Sequence, residues 1–343
     1  MLFNGWSVDP KAGPGGAGQN QPWLGHPFHV DNNINGINGD TNGDNSGIET
    51  EDLSIPAVTA LQEAYVRKVI DTVGDLDNVL YEICNECADG SYQSSDSAQW
   101  QYHMIDLIHA YEATKPKQHP VGITHFRDDS FLFNSNAEWV SLKDAGSLES
   151  PHVADGSKVI LLDTDHICGI CGDRKWVWKS FTRGKNLIFM DQYDDSYRLN
   201  GGGYNQNNPN DVSLRQNLGY TRTYANRMNL TAMTPQPSLC STGYCLANAV
   251  AANAEYLVYL PAGAEIAELL ARLGIDKQPP IYLPADGQVL VDLSAASGEM
   301  AVEWFNPASG ETVQGEPVTG GSPQTFTAPF TGDAVLYIYD TTP

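Results

Sequence analysis

"NVLYEICNECADG", residues 78–90, leads from three strand-loving residues, Val79 to Tyr81, to a carboxylate flanked by two cysteines in Cys84-Asn85-Glu86-Cys87. Side chains alternate along an extended strand, so Glu82, Cys84 and Glu86 share one face while Ile83, Asn85 and Cys87 take the other. A glutamate at the C-terminal edge of a buried strand stands where an α/β barrel keeps its chemistry.

Working outward, short apolar runs recur at residues 1–7, 119–126, 137–142, 158–165 and 186–192, giving six strands with 78–85. Helical patterns separate them. Pro56 opens one in which Val58, Leu61, Tyr65, Val69 and Val73 recur at three or four before Gly74, and Trp100, Met104, Leu107, Ile108 and Tyr111 mark another. Strands of about six residues alternating with helices predict parallel βαβ units and an α/β fold of the (β/α)8 type. Glu86, His125, Asp163, Asp165, His166 and Asp191 fall at or just past strand C-termini.

Near residue 245 the texture changes to period-two runs such as "EYLVYLP", "GQVLVDLS", "MAVEWFNP" and "DAVLYIYD", which predict a small antiparallel β-sandwich over 245–343 after a barrel domain over 1–244. "AEIAELLARLGIDKQPP" reads as a helical insertion within it. The polar stretch Asp9 to Asp52 is far longer than an ordinary connection and reads as a functional loop. Inside it, "NGDTNGDNSGIE", residues 38–49, has the outline of a calcium loop, which Asn- and Gly-rich segments also adopt for turn reasons alone.

The chain has 343 residues, 19 basic and 42 acidic, for a net charge of -23. Such a surface repels phosphate backbones and anionic lipid, so neither nucleic acid nor membrane is an expected partner. No apolar run approaches the roughly 18 residues of a membrane span. Met1 to Trp6 lacks the regions of a signal peptide and reads as a strand already under way. The acidity suits an extracellular or periplasmic protein.

A strand-end glutamate behind an amide side chain matches a specific chemical need. Glycoside hydrolysis wants one protonated carboxyl to give a proton to the leaving oxygen and a second carboxylate as nucleophile or base. The second should come from another strand end, and Asp163 or Asp165 in "KVILLDTDHICG" is best placed, with Asp191 in reserve. A separation of about 5 Å implies retention and about 6.5–9.5 Å inversion. Asn85, His125, His166, Trp6 and Trp139 are candidate substrate-binding residues, with His26 and His29 as further lining. Of Trp176 and Trp178, two apart on a predicted helix, at most one can face a cleft.

"DNVLYEICNE" resembles the fourth-strand signature of retaining (β/α)8-barrel glycoside hydrolases, in which the Asn-Glu pair is a hydrogen-bonding amide followed by the acid/base. Carried over, these are Asn85 and Glu86. The whole chain is similar to bacterial glycoside hydrolases with a C-terminal β-sandwich labelled a collagen-binding domain, through "LFNGWS", "NNINGINGD", "DTDHICGICGDRKWVWKSFTRG", "LIFMDQYD" and "VEWFNPASGET". The resemblance implies a retaining glycosidase with a poly- or oligosaccharide substrate and no cofactor. It makes "MLFNGWS" the third strand, so that strands one and two are missing and the chain is a fragment. It also implies a seventh-strand nucleophile, usually Glu, where this chain has Asp163 or Asp165. The competing reading is a non-catalytic carbohydrate- or matrix-binding protein on a degenerate barrel.

The six cysteines fall as Cys84-x-x-Cys87, Cys168-x-x-Cys171 and Cys240-x-x-x-x-Cys245. Two Cys-x-x-Cys pairs have four-thiolate zinc spacing. Strand alternation, however, turns Cys84 and Cys87 to opposite faces, and the pairs sit on the fourth and seventh strands, across the mouth from each other. Loop-stapling disulfides or buried thiols are therefore expected in place of a metal, with Cys240 and Cys245 paired to each other.

Overall fold

The structure is a computed structural model that describes residues 1–8, 22–85, 87, 96–124, 129–143, 148–190, 207–262 and 287–341. Contacts divide the chain into two compact units, Met1–Lys143 with Ser157–Leu161 and Asp144–Gly156 with Leu162–Pro343.

The first unit runs β1 (Phe3–Asn4), α1 (Pro56–Val73), β2 (Tyr81–Glu82), β3 (Cys84–Asn85), α2 (Asp96–Glu112), β4 (Val121–Thr124), α3 (Asp129–Phe133), β5 (Trp139–Ser141) and the start of β6 (Val159–Asp163). β2 and β3 are one extended segment interrupted at Ile83 and bonded on both sides. The Phe3 N–H donates to the Ile83 carbonyl at 2.9 Å, and the Ile83 N–H donates to the Gly122 carbonyl at 3.1 Å. β1 pairs with β3, β2 with β4, β4 with β5 and β5 with β6, all parallel. Parallel neighbours in chain order, with α1, α2 and α3 between successive strands, are the arrangement the sequence predicts, although no described helix joins β5 to β6 and the described strands do not close into a barrel.

β4 reads Val-Gly-Ile-Thr and is buried throughout. Its glycine is required, because a methyl group at 122 would overlap the indole of Trp139.

α1 has the predicted ends, with Pro56 in its first turn and the Gly74 N–H closing on the Ile70 carbonyl at 2.8 Å. Its buried face differs from the one expected. Val58, Gln62, Val66 and Ile70 face inward, while Leu61 and Tyr65 are exposed. The shift turns on Gln62, a polar residue in the inward stripe. Its amide donates to the Thr50 carbonyl at 2.6 Å and accepts from Trp100 Nε1 at 3.0 Å. Two hydrogen bonds make a buried amide acceptable where an apolar count would skip it.

The second unit carries the end of β6, then α4 (Arg174–Phe181), β7 (Lys185–Ile188) and α5 (Pro209–Arg227). Its strands are β8 (Thr234–Pro235), β9 (Cys245–Asn248), β10 (Glu255–Leu260), β11 (Gln288–Asp292), β12 (Glu299–Phe305), β13 (Thr312–Gln314), β14 (Val318–Thr319), β15 (Pro323–Thr327) and β16 (Ala334–Asp340). One antiparallel sheet has the order β13-β12-β16-β10-β9-β8 with β14 on β12, and β11 pairs with β15 in another.

Alternation explains how the larger sheet packs. Tyr256, Val258 and Leu260 of β10 join Leu336 and Ile338 of β16 in a core with Val289, Val291 and Phe326 of the small sheet. The residues between them, Leu257, Tyr259, Val335 and Tyr337, meet Trp178 of α4 and Tyr224 of α5 on the other face. This is why "EYLVYL" is apolar almost continuously, since a sheet buried on both faces needs no polar side. Each buried aromatic here contributes roughly 2–3 kcal/mol by area. Two ion pairs tie the layers: Arg174 reaches Asp333 at 2.8 Å, and Arg227 grips both oxygens of Glu303 at 2.8 and 2.9 Å. No described helix is long and apolar enough to cross a membrane.

Candidate functional site

β1 and β3 end together, with Asn4 the register partner of Asn85. β1 itself, through Phe3 and Asn4, lines a pocket of about 200 Å³ together with Ser7, His26, Phe28 and Glu51 among others. Trp100 and Gln62, joined by the hydrogen bond already described, also line it. Ser7 Oγ donates to the Asn4 carbonyl at 2.7 Å, fixing the turn that leaves β1.

His26 stacks on Trp23 with centroids 5.0 Å apart, and its Nδ1 accepts the Phe28 N–H at 3.2 Å. Burial pulls its pKa down to about 4, so the ring is neutral near neutral pH. On the same sheet, Thr124 Oγ1 donates to Glu82 Oε1 at 2.8 Å at the end of β4.

Glu86 and His125, with Asp191, lie outside the described residues. Asn85 is half-buried at the strand end, as expected. Trp6 is placed by its backbone in the 3-10 turn Gly5–Ser7 that follows β1. Trp139 opens β5 at its N-terminal end and is 7 % exposed, with its ring against Gly122, so it is a core side chain and not a platform for substrate. Trp176 and Trp178 are both buried.

In the second unit, β6 ends at Asp163, and Thr164–His166 form a 3-10 turn. Asp163 and Asp165 therefore do not share a strand face, contrary to the alternation read from the sequence. Asp163 caps that turn, its Oδ1 accepting the Asp165 N–H at 3.0 Å, and it is half-buried, whereas Asp165 is exposed. Burial raises the pKa of Asp163; the Asp165 N–H and the neighbouring His166 oppose the rise, and the Asp165 charge adds to it. His166 is buried beside it. The loop then winds around one acceptor, the Thr164 carbonyl, which receives the N–H groups of Ile167, Cys168 and Gly169 at 2.7–3.0 Å.

Each Cys-x-x-Cys closes on itself: Cys84 bonds Cys87 and Cys168 bonds Cys171, with Cα separations of 5.6 and 6.0 Å. Cys87 lies in a turn, past the described end of β3, so strand alternation does not set its direction. Cys240 and Cys245 are buried thiols, not the disulfide expected of them. A hydrogen bond from Cys245 holds the Cys240 thiol down at about 7.

In the 38–49 loop, Asp40 accepts the N–H groups of Gly43, Asp44 and Asn45 at 2.7–3.1 Å, and Glu49 accepts that of Asn42 at 3.1 Å. These acids are engaged as turn formers.

Sequence reasoning missed Asn4, whose side-by-side position with Asn85 follows from strand pairing, and Glu51, which comes from a long loop without periodicity.

Residues 268–338 match a family model described as "Putative collagen-binding domain of a collagenase". No curated protein matches the chain. Among solved structures, a glycoside hydrolase aligns at TM-score 0.52 and 11% identity, covering 83% of this chain and 70% of that one. A glycoside hydrolase family 5 protein from Bacteroides vulgatus aligns at TM-score 0.51 and 12% identity, over 83% and 68%. At these identities the likeness is one of fold: the chain is built like glycoside hydrolases.

Proposed function

We propose that this protein is a glycoside hydrolase that cleaves O-glycosidic bonds in a poly- or oligosaccharide with two carboxylates and net retention. The observation that carries the reading is the strand-end pair Asn4 and Asn85, with Glu86 next in sequence, on a sheet like that of glycoside hydrolases. In this reading Glu86 is the acid/base and Asn85 orients substrate hydroxyls. Asp163 is favoured over Asp165 as the nucleophile, because it ends a strand and is half-buried where Asp165 is exposed. His166 tunes Asp163, partly opposing the rise that burial gives its pKa. His125 and Trp6 remain proposed substrate contacts. Residues 1–244 would hold the chemistry, and 245–343 would assist folding or binding.

Two disulfides fit an extracellular or periplasmic setting, where such bonds persist.

The test is turnover of a panel of aryl glycosides by the protein and by Glu86→Gln and Asp163→Asn. Losses of about 10²–10⁴ in both variants, with the anomer of the substrate retained by NMR, support the assignment. Turnover unchanged by Glu86→Gln removes Glu86 from the chemistry.

The match over residues 268–338 favours a second reading, a matrix- or carbohydrate-binding protein without turnover. Binding to immobilised collagen or polysaccharide, with no hydrolysis of any substrate in the panel, would select it.

A further inference from the structure

We infer that Glu51, Cys84 and Cys87, once the two sulfurs are reduced, form a site for one thiophilic divalent cation of the zinc class. One ligand atom from each residue lies within 4.8 Å of the other two. All three are buried, at 8 % exposure for Glu51 and 0 % for both cysteines. Cys-x-x-Cys supplies two ligands at the spacing zinc sites use, and a carboxylate oxygen is an accepted third, with ligand bonds of about 2.0–2.3 Å. Sulfur selects a soft cation over calcium or magnesium.

The donors are held in place by separate parts of the fold. Cys84 sits in β3, paired with Phe3 of β1. Glu51 ends the 3-10 turn Ile48–Glu51, whose Thr50 carbonyl is held by Gln62. Glu51 also lines the pocket with Asn4, Ser7 and His26, so a fourth coordination position can open to water or a ligand there.

As it stands, Cys84 and Cys87 are bonded to each other, and thiolates, not disulfide sulfurs, are the metal ligands. A trialkylphosphine converts the pair: it becomes its oxide with an oxygen from water, the S–S bond breaks and each sulfur takes a proton. Cation binding then displaces both thiol protons, so affinity rises with pH. Cys84 and Cys87 thus have an oxidised state, bonded to each other, and a reduced state that binds metal with Glu51. The inference goes beyond the hydrolase reading and does not depend on it.

The experiment uses the full chain carrying Cys168→Ser and Cys171→Ser, which leaves Cys84–Cys87 as the reducible bond. Cobalt(II) is titrated anaerobically into the oxidised form and into the phosphine-reduced form after the phosphine is removed. The expected result is one more equivalent bound by the reduced form, with a near-ultraviolet sulfur-to-cobalt charge-transfer band. Cys87→Ser should abolish the band. Glu51→Gln, which keeps both cysteines, should weaken binding at least by the tenfold that outer-shell changes cause. Equal binding by the oxidised and reduced forms overturns the inference. So does an affinity unchanged by Glu51→Gln, which would leave a simple dithiol.

Discussion

Asn4 and Asn85 are Cα partners on the neighbouring parallel strands β1 and β3, so two amide side-chain positions stand together at one end of the sheet. If Asn85 positions a substrate hydroxyl, Asn85→Ala should lower kcat/KM on aryl glycosides by about 10²-fold, the scale of one oriented donor. Asn4→Ala should do less. Both residues are only half-buried, so stability should move by no more than about 0.5 kcal/mol, read from urea midpoints.

Asp163 offers a second test through its raised pKa. Burial favours the protonated carboxyl, so the group's contribution to stability is present below its unfolded pKa and lost as pH rises through the folded one. Asp163→Asn, which can still cap the Thr164–His166 turn, should therefore raise Tm at pH 7 and change it little at pH 3. Activity should fall at both. In the unmodified protein the acid limb of kcat/KM should lie above the ordinary carboxylate range, and an acid limb that stays put in Asp163→Asn would assign it to another group.

His119 is held on both ring nitrogens, by Glu112 at 2.7 Å and the Leu76 carbonyl at 2.9 Å, and its backbone N–H also reaches Glu112. Burial works against the charged ring, but the Glu112 and Leu76 hydrogen bonds outweigh it and the pKa is raised. The stabilisation is thus full below about pH 6.5 and lost as pH rises through the folded pKa. Melting curves from pH 5.5 to 8.5 should show a decline that His119→Gln lacks. Loss of the partner from this buried pair should cost about 3 kcal/mol at pH 5.5.

Glu303 is buried and receives Arg227 through both oxygens and Tyr224 through its hydroxyl at 2.8 Å. Burial raises its pKa, yet Arg227 and Tyr224 more than reverse that and leave it lowered. Its stabilisation is present above the ordinary glutamate pKa and disappears as pH falls through the folded value. Glu303→Ala strands the partly covered Arg227 and should cost about 3–5 kcal/mol at pH 7, measured by urea unfolding. The difference should shrink in acid.

The six strands were legible because each is a short apolar run closed by polar residues, and Asn85-Glu86 stood out because polar side chains at a buried strand's end are costly without a task. The face of α1 was not legible, since Gln62 looks like a surface residue until Thr50 and Trp100 are brought to it. Asp163 and Asp165 were separated by a turn that period-two counting cannot see. Glu51 lies in a loop whose course is set by tertiary contact, so only the folded chain brings it to Cys84 and Cys87. The second buried face of β10 was visible as excess hydrophobicity in "EYLVYL", but its cover, Trp178 and Tyr224, comes from helices far back in the chain.

That cover has a practical consequence for dissecting the molecule. A polypeptide started at Cys245 would leave Leu257, Tyr259, Phe305 and Tyr337 without Trp178 and Tyr224, and would shed the Arg174 and Arg227 partners of Asp333 and Glu303. Such a fragment would present a sticky aromatic wall studded with orphaned acids and should self-associate on a sizing column. One started ahead of Asp173, which caps α4, carries its own lining and should elute as a single species.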